Sequence, residues 1–140
     1  MLQASNQTTT NETTTEQIHD KPALTQPALL LRLEAAAVFA AIIATYIHLG
    51  GNGWLFVALL LAPDLAMLGY LANKKVGAWT YNLAHFYAAP GALLALSLII
   101  AAPLMTQIAL IWLAHIAMDR VVGYGFKYVT DFKDTHLSRV

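Results

Sequence analysis

The sequence contains no cysteine and little charge of either sign. The absence of cysteine excludes disulfides, thiolate metal ligands and thiol nucleophiles, so any chemistry must come from histidine, carboxylates, hydroxyls or the backbone. Charged residues make up 11% of the chain, and eight Lys and Arg balance eight Asp and Glu. A chain without a basic surplus has no means of attracting a polyanion, so we expect no nucleic-acid partner.

Apolar residues are abundant instead, at 58% of the 140 residues, which is too apolar for a soluble domain of this length. A bilayer core of about 30 Å requires about 20 helical residues per crossing. Pro90 and Gly91 fall inside one of the long apolar runs, where we predict a kink because neither half of that run could cross alone. Four runs meet the required length: 29–49, 54–72, 78–101 and 104–122.

The composition divides the chain into three parts. Residues 1–27 are rich in Thr, Asn and Gln and lack the basic start and apolar core of a secretory signal, so they are predicted to form a disordered tail. Residues 28–123 are predicted to form the transmembrane domain. In residues 124–140 aromatic side chains alternate with lysines, which is typical of a cytoplasmic or interfacial tail. The predicted fold class is therefore all-α: an integral membrane bundle of four transmembrane helices behind a disordered N-terminal tail.

The positive charges predict the orientation of this bundle. Lys and Arg are retained on the cytoplasmic side of a membrane, and four crossings put every Lys and Arg of the sequence on one side. The loops on the other side, around 50–53 and Pro103, carry no charge. Both termini are therefore predicted to be cytoplasmic. The positive residues are Lys21, Arg32, Lys74, Lys75, Arg120, Lys127, Lys133 and Arg139.

Ionisable residues inside the predicted spans are the candidates for function. An acid at the centre of a membrane helix costs about 2.5 to 3.5 kcal/mol, so such residues must be paired, protonated or hydrated. His115 and Asp119 are four residues apart and share one helix face. At a rise of about 1.5 Å per residue, Glu34, Asp64 and His85 on the other three helices fall in the same cytoplasmic half. These residues are predicted to line a polar pocket open to the cytoplasm.

The pocket supports several hypotheses about function. In the first, Asp64, His85, His115 and Asp119 are catalytic residues, and His85, His115 and Asp119 bind a divalent metal such as zinc, iron or manganese. Activated water would then attack a lipid-like substrate, because Ser97 lies at the opposite end of the bundle.

The alternatives use the same residues in transport or binding of a proton, an ion or a small molecule, or in a purely structural polar cluster. Transport would require a homo-oligomer or a rearrangement, because the outer half of the bundle carries only Thr, Ser and Gln. The sequence leaves these hypotheses, and the question of whether the protein is an enzyme, open.

Several segments, taken in order, resemble one known family. The stretches "LLRLEA", "LAPDLAMLGYL", "YNLAHFY", "IWLAHIAMDRVVGYGFKY" and "FKDTHLSRV" are similar to the small bacterial membrane proteins catalogued as domain of unknown function 4260. The resemblance covers residues 29–140. It implies an integral membrane protein of about this size, multi-pass in the bacterial inner membrane, with the lipid bilayer as its partner, and it implies no activity.

Overall fold

The computed structural model describes residues 26–129, 135 and 137. This part of the chain is helical, apart from short turns and an isolated antiparallel bridge between Lys127 and Thr135. Residues 1–25 of the predicted disordered tail lie outside it. The helices are α1 (Gln26–His48), α2 (Gly53–Leu59), a 3₁₀ helix (Ala62–Leu71), α3 (Lys74–Ala84), α4 (Ala88–Ile99) and α5 (Pro103–Val122).

These helices form four segments that are long and apolar enough to cross a membrane, which confirms the predicted all-α bundle of four transmembrane helices. Their bounds lie within a few residues of those predicted from the apolar runs, because Gly, Pro and Asn punctuate the sequence between them. Asn52 and Asn73 each accept a hydrogen bond from a backbone N–H in the first turn of the next helix. The segments are Gln26–His48, Gly53–Leu71, Lys74–Ile99 and Pro103–Val122.

Two of the four segments are interrupted. In the second, α2 ends before Pro63, which has no N–H to donate to the preceding turn, and the chain continues as a 3₁₀ helix. In the third, residues 85–87 separate α3 from α4. The sequence predicts a kink at Pro90 and Gly91, but in the structure the helix is instead broken a few residues earlier, at residues 85–87. Pro90 itself lies in the first turn of α4, where its missing N–H leaves no hydrogen bond unmade.

Helix α5 is the centre of the molecule. It packs mainly along α1 and α4, whereas α3 packs mainly against the 3₁₀ helix. Half of the most apolar 18-residue stretch of α5 is buried within the chain, compared with 17% or less of the corresponding stretch in each of the other three segments. It is also the least apolar of the four segments, and a membrane helix with ionisable side chains is shielded from lipid in such a central position. Residues on α5 can therefore meet side chains from several other helices.

The bundle has two ends of different character. We call the end with the α1–α2 and α4–α5 turns the distal end, and the end with Gly123 the proximal end. At the distal end, Ser97 and Thr106 share a hydrogen bond of 2.9 Å and Tyr46 donates one to the Asn52 carbonyl. An apolar core built around Tyr46, Leu110 and Ile111 lies next to these bonds. Apart from His48 at the end of α1, the ionisable side chains of the spans lie toward the proximal end.

Candidate metal centre

Four ionisable side chains meet between α3, α5 and the 3₁₀ helix. Asp64 comes from the start of the 3₁₀ helix, His85 from the residue that ends α3, and His115 and Asp119 from successive turns of α5. One potential metal-binding atom of each side chain lies within 4.8 Å of those of the other three. The structure thus brings together the four residues that the sequence proposed as catalytic, including the three proposed as metal ligands.

Five of the six distances between the four atoms lie between 3.0 and 3.9 Å, and the sixth, between the two carboxylate oxygens, is within 4.8 Å, so the atoms form a distorted tetrahedron. The two His Nε2 atoms are 3.0 Å apart. Asp64 Oδ1 lies 3.6 Å from His85 Nε2 and 3.5 Å from His115 Nε2, and Asp119 Oδ2 lies 3.3 Å and 3.9 Å from the same two atoms. Ligands bound to a tetrahedral zinc at about 2.0–2.1 Å are about 3.4 Å apart. The spacing in the protein therefore matches that of a metal coordination shell.

The hydrogen bonding of His85 sets the direction of its lone pair. Its Nδ1 lies 2.8 Å from the Tyr81 carbonyl oxygen, and since a carbonyl can only accept, Nδ1 carries the proton. Nε2 of a neutral His85 is then unprotonated and directed at the other three side chains. Metal-binding histidines are typically oriented by such a bond from their second nitrogen. The end of α3 thus presents His85 as a ligand rather than as a donor.

Tyr81 supports two members of the group at once. Its hydroxyl donates a 2.9 Å hydrogen bond to Asp119 Oδ2, and its ring stacks on the His85 imidazole with 3.7 Å between centroids. The sequence analysis did not identify Tyr81. The signal was nevertheless present, because Tyr81 precedes His85 by four residues and therefore shares its helix face.

Three of the four side chains are buried, and the fourth is partly exposed. His115, His85 and Asp119 are 0%, 2% and 9% exposed, whereas the Asp64 side chain is 32% exposed. His115 Nδ1 is buried without a hydrogen-bond partner among the described residues. Three ligands are therefore held in the interior, and the fourth corner is open to the surroundings. Catalytic zinc sites likewise combine three protein ligands with one open position.

The 3₁₀ geometry extends the site along one face. A 3₁₀ helix has three residues per turn, so Asp64, Met67 and Tyr70 lie one above the other. The Lys127 ammonium packs against this row, 3.9 Å from the Met67 sulfur and 5.5 Å from the centre of the Tyr70 ring. An α-helix would have turned Tyr70 away from the line of Asp64. The irregular second segment therefore places the cation on the helix face that carries the acid.

Lys127 is the residue that sequence reasoning could not have assigned to this region. Its charge pattern suggested an interfacial tail, but the structure buries it to 7% exposure. The Asn82 side chain binds both backbone groups of Lys127: Asn82 Nδ2 donates to the Lys127 carbonyl at 2.9 Å, and the Lys127 N–H donates to Asn82 Oδ1 at 2.7 Å. Burial lowers the pKa of the Lys127 ammonium, and the charges of Asp119 and Asp64 oppose that shift.

Glu34 does not join the group, although its predicted depth matched. It is exposed on α1 and lines a separate cavity of about 520 Å³ together with Tyr87 and Arg120. Depth alone could not reveal this difference, because it does not specify which side of a helix a residue faces. Asp119 and its neighbour Arg120 face different sides of α5, and Glu34 lies on the side of Arg120. Arg32 packs over Gly123 at the end of α5, where a side chain would collide with its guanidinium. His136, a tail histidine that could fold back to cap the pocket, lies outside the described residues.

A family model described as "Domain of unknown function (DUF4260)" matches residues 28–140, which is most of the chain. No curated protein and no solved structure matches it.

Proposed function

Because the chain belongs to the DUF4260 family, whose description assigns no activity, we propose a function from the site itself. The protein is a membrane-embedded metalloprotein that hydrolyses an ester bond in a lipid-like substrate. His85, His115 and Asp119 hold a divalent metal, and Asp64, the most exposed of the four side chains, leaves the fourth corner to water and acts as the general base.

The tetrahedral spacing of the four atoms is the observation that carries this proposal. Charge supports it as well. Two carboxylates in the membrane interior are costly unless they are compensated, and a divalent cation between Asp64 and Asp119 would compensate them. Two imidazole nitrogens with carboxylate oxygens are donors typical of zinc, and also of iron and manganese.

The chemistry requires only water as the nucleophile. Serine is present at the distal end as Ser97, where it is bonded to Thr106, and cysteine is absent from the sequence. A metal held by these residues would supply a nucleophile near neutral pH, because it would lower the pKa of its water. Asp64 would accept a proton from the attacking water and return it to the leaving oxygen as the ester bond breaks.

An apolar cleft beside the site suits the lipid part of such a substrate. This cleft, of about 260 Å³, adjoins Asp64 through its neighbour Pro63 and lies one to two turns from His115 on α5. Apolar lining favours an acyl or similar chain, which would place its polar end at the metal. The lining residues are Leu59, Ala62, Pro63, Ile108, Ile111 and Trp112.

The packing on the distal side of the site favours an enzymatic role over a role in transport. Leu110 and Ile111 are buried in the apolar core around Tyr46, between the four ionisable side chains and the polar residues of the distal end. A proton or ion pathway across the membrane would need polar groups or water at this level. The site therefore serves one side of the membrane. With the positive charges at the proximal end, that side is the cytoplasm of the cell whose inner membrane holds the protein.

Metal analysis tests the proposal. Protein purified in detergent and supplied with zinc, iron or manganese is expected to retain about one metal ion per chain after dialysis. The variant with His85→Ala and His115→Ala is expected to retain none, with unchanged helical content by circular dichroism. His48→Ala is the matched control, because His48 is exposed at the distal end of α1. Wild-type protein that retains none of the three metals would overturn the proposal.

A further inference from the structure

We propose that Lys127 is the anion-binding residue of this site and that the substrate carries a phosphate group. This inference rests on the proposed function, since it concerns the group that would bind at the open corner beside Asp64. It assigns a substrate class, a lipid phosphate ester, and a binding residue outside the four predicted ones.

The first argument is the way in which the chain positions Lys127. Both backbone hydrogen-bonding groups of Lys127 are bound by the Asn82 side chain, and an antiparallel bridge pairs the residue with Thr135. Asn82 lies three residues before His85 on the same helix. The helix that provides a metal ligand therefore also fixes the lysine. A cation that served only as a membrane anchor would need no such attachment.

The second argument is the location of the ammonium group. It lies 4.3 Å from the centre of the Tyr81 ring, whose other face is taken by the stacked His85 imidazole. It also contacts Met67, one 3₁₀ turn from Asp64, and a turn of that helix rises about 6 Å. The ammonium is thus about one turn from the acid at the open corner. A phosphate group has several oxygens, so one oxygen can bind the metal while another binds the lysine ammonium.

The third argument is the charge of the loaded site. A divalent metal would balance the two carboxylates, and the Lys127 ammonium places a further positive group beside them. The rings of Tyr81 and Tyr70 contact this ammonium. In a setting of low dielectric a cation at this place favours an anionic ligand over a neutral ester. Lysine is a common point-charge partner for phosphate.

Cobalt spectroscopy can test this inference with inorganic phosphate as the probe. Cobalt(II) would replace the native metal in detergent-purified protein, and its visible absorption would be followed as phosphate is added at constant ionic strength. Wild-type protein is expected to show a saturable change. Lys127→Met is expected to raise the apparent Kd for phosphate at least tenfold, about 1.4 kcal/mol, without altering the cobalt spectrum in the absence of phosphate.

Two controls make the result specific. Lys75→Met removes an exposed lysine near the proximal end and is expected to bind phosphate like the wild type. Lys127→Arg keeps the charge and is expected to restore part of the affinity, which a purely structural role of the methylene chain would not explain. Unchanged phosphate affinity in Lys127→Met, or no response of the wild type, overturns the inference while leaving the metal site intact. Absence of the cobalt spectrum itself would instead overturn the proposed function, and this inference with it.

Discussion

At the scale of single residues, the site depends on how each ligand is oriented. His85 is directed by the Tyr81 carbonyl and by the Tyr81 ring, and Asp119 by the Tyr81 hydroxyl. One tyrosine therefore controls two of the three proposed ligands. Such supporting groups raise metal affinity because they hold a ligand in its bound geometry before the metal arrives.

Removing the Tyr81 hydroxyl tests this role. Tyr81→Phe keeps the ring stacked on His85 but deletes the donor to Asp119, and we expect metal affinity to fall by roughly 10- to 100-fold. Competition with a chelator of known affinity would measure the change. Tyr124→Phe, at a residue that is 58% exposed, is the control and should bind metal like the wild type. Equal affinities in all three proteins would contradict a supporting role for Tyr81.

Some residues of the site could be predicted from the sequence and others could not. Asp64, His85, His115 and Asp119 could be identified because ionisable residues are rare and costly inside apolar spans. Lys127 could not, because nothing in a sequence distinguishes a lysine that folds back from one that remains at the interface. Glu34 was assigned by depth alone, and depth does not specify which side of a helix faces which neighbour.

At the scale of elements, the second and third segments depend on close contact. Thr80 of α3 donates a 2.8 Å hydrogen bond to the Ala66 carbonyl of the 3₁₀ helix. Gly77 faces the Tyr70 ring so closely that an added Cβ would overlap the ring carbons. Small residues allow membrane helices to approach in this manner. The apolar runs predicted the limits of both segments, but the breaks inside them arise from proline geometry together with this packing.

A pair of glycine substitutions separates packing from helix propensity. Gly77→Ala is expected to destabilise the protein by about 1–3 kcal/mol, because the new methyl group forces α3 and the 3₁₀ helix apart. Gly91→Ala adds the same methyl group within α4, where no atom lies within 4 Å, and should stabilise by up to about 1 kcal/mol. Thermal unfolding in detergent measures both. Similar shifts in the two variants would show that Gly77 is not a packing contact.

At the scale of the whole molecule, the distribution of charge determines the orientation that we propose. In the described part of the chain the turns at the distal end carry no Lys or Arg, whereas the proximal end carries Arg32, Lys74, Lys75, Arg120 and Lys127. The number of crossings was predictable because hydrophobic length is a one-dimensional property. The relative positions of the helices were not, since they depend on contacts between segments far apart in sequence.

Reporter fusions test this orientation. A reporter that is active only in the cytoplasm, fused after Val140, is expected to be active. The same reporter inserted in the turn at Gly50 or Gly51, at the distal end, is expected to be inactive. A reporter that functions only outside the cytoplasm should give the reverse pattern at both positions. Activity of the cytoplasmic reporter at the distal turn would contradict the four-crossing arrangement with cytoplasmic termini.

The break at residues 85–87 has a consequence for the mechanics of the bundle. It separates α3 and the 3₁₀ helix, which pack on each other, from α1, α4 and α5. The four ionisable side chains lie where these two groups of helices meet, with two side chains from each. A metal bound there would act as a cross-link between the two groups. The chain has no cysteine, so coordination bonds would provide the cross-link that a disulfide bond provides in other proteins.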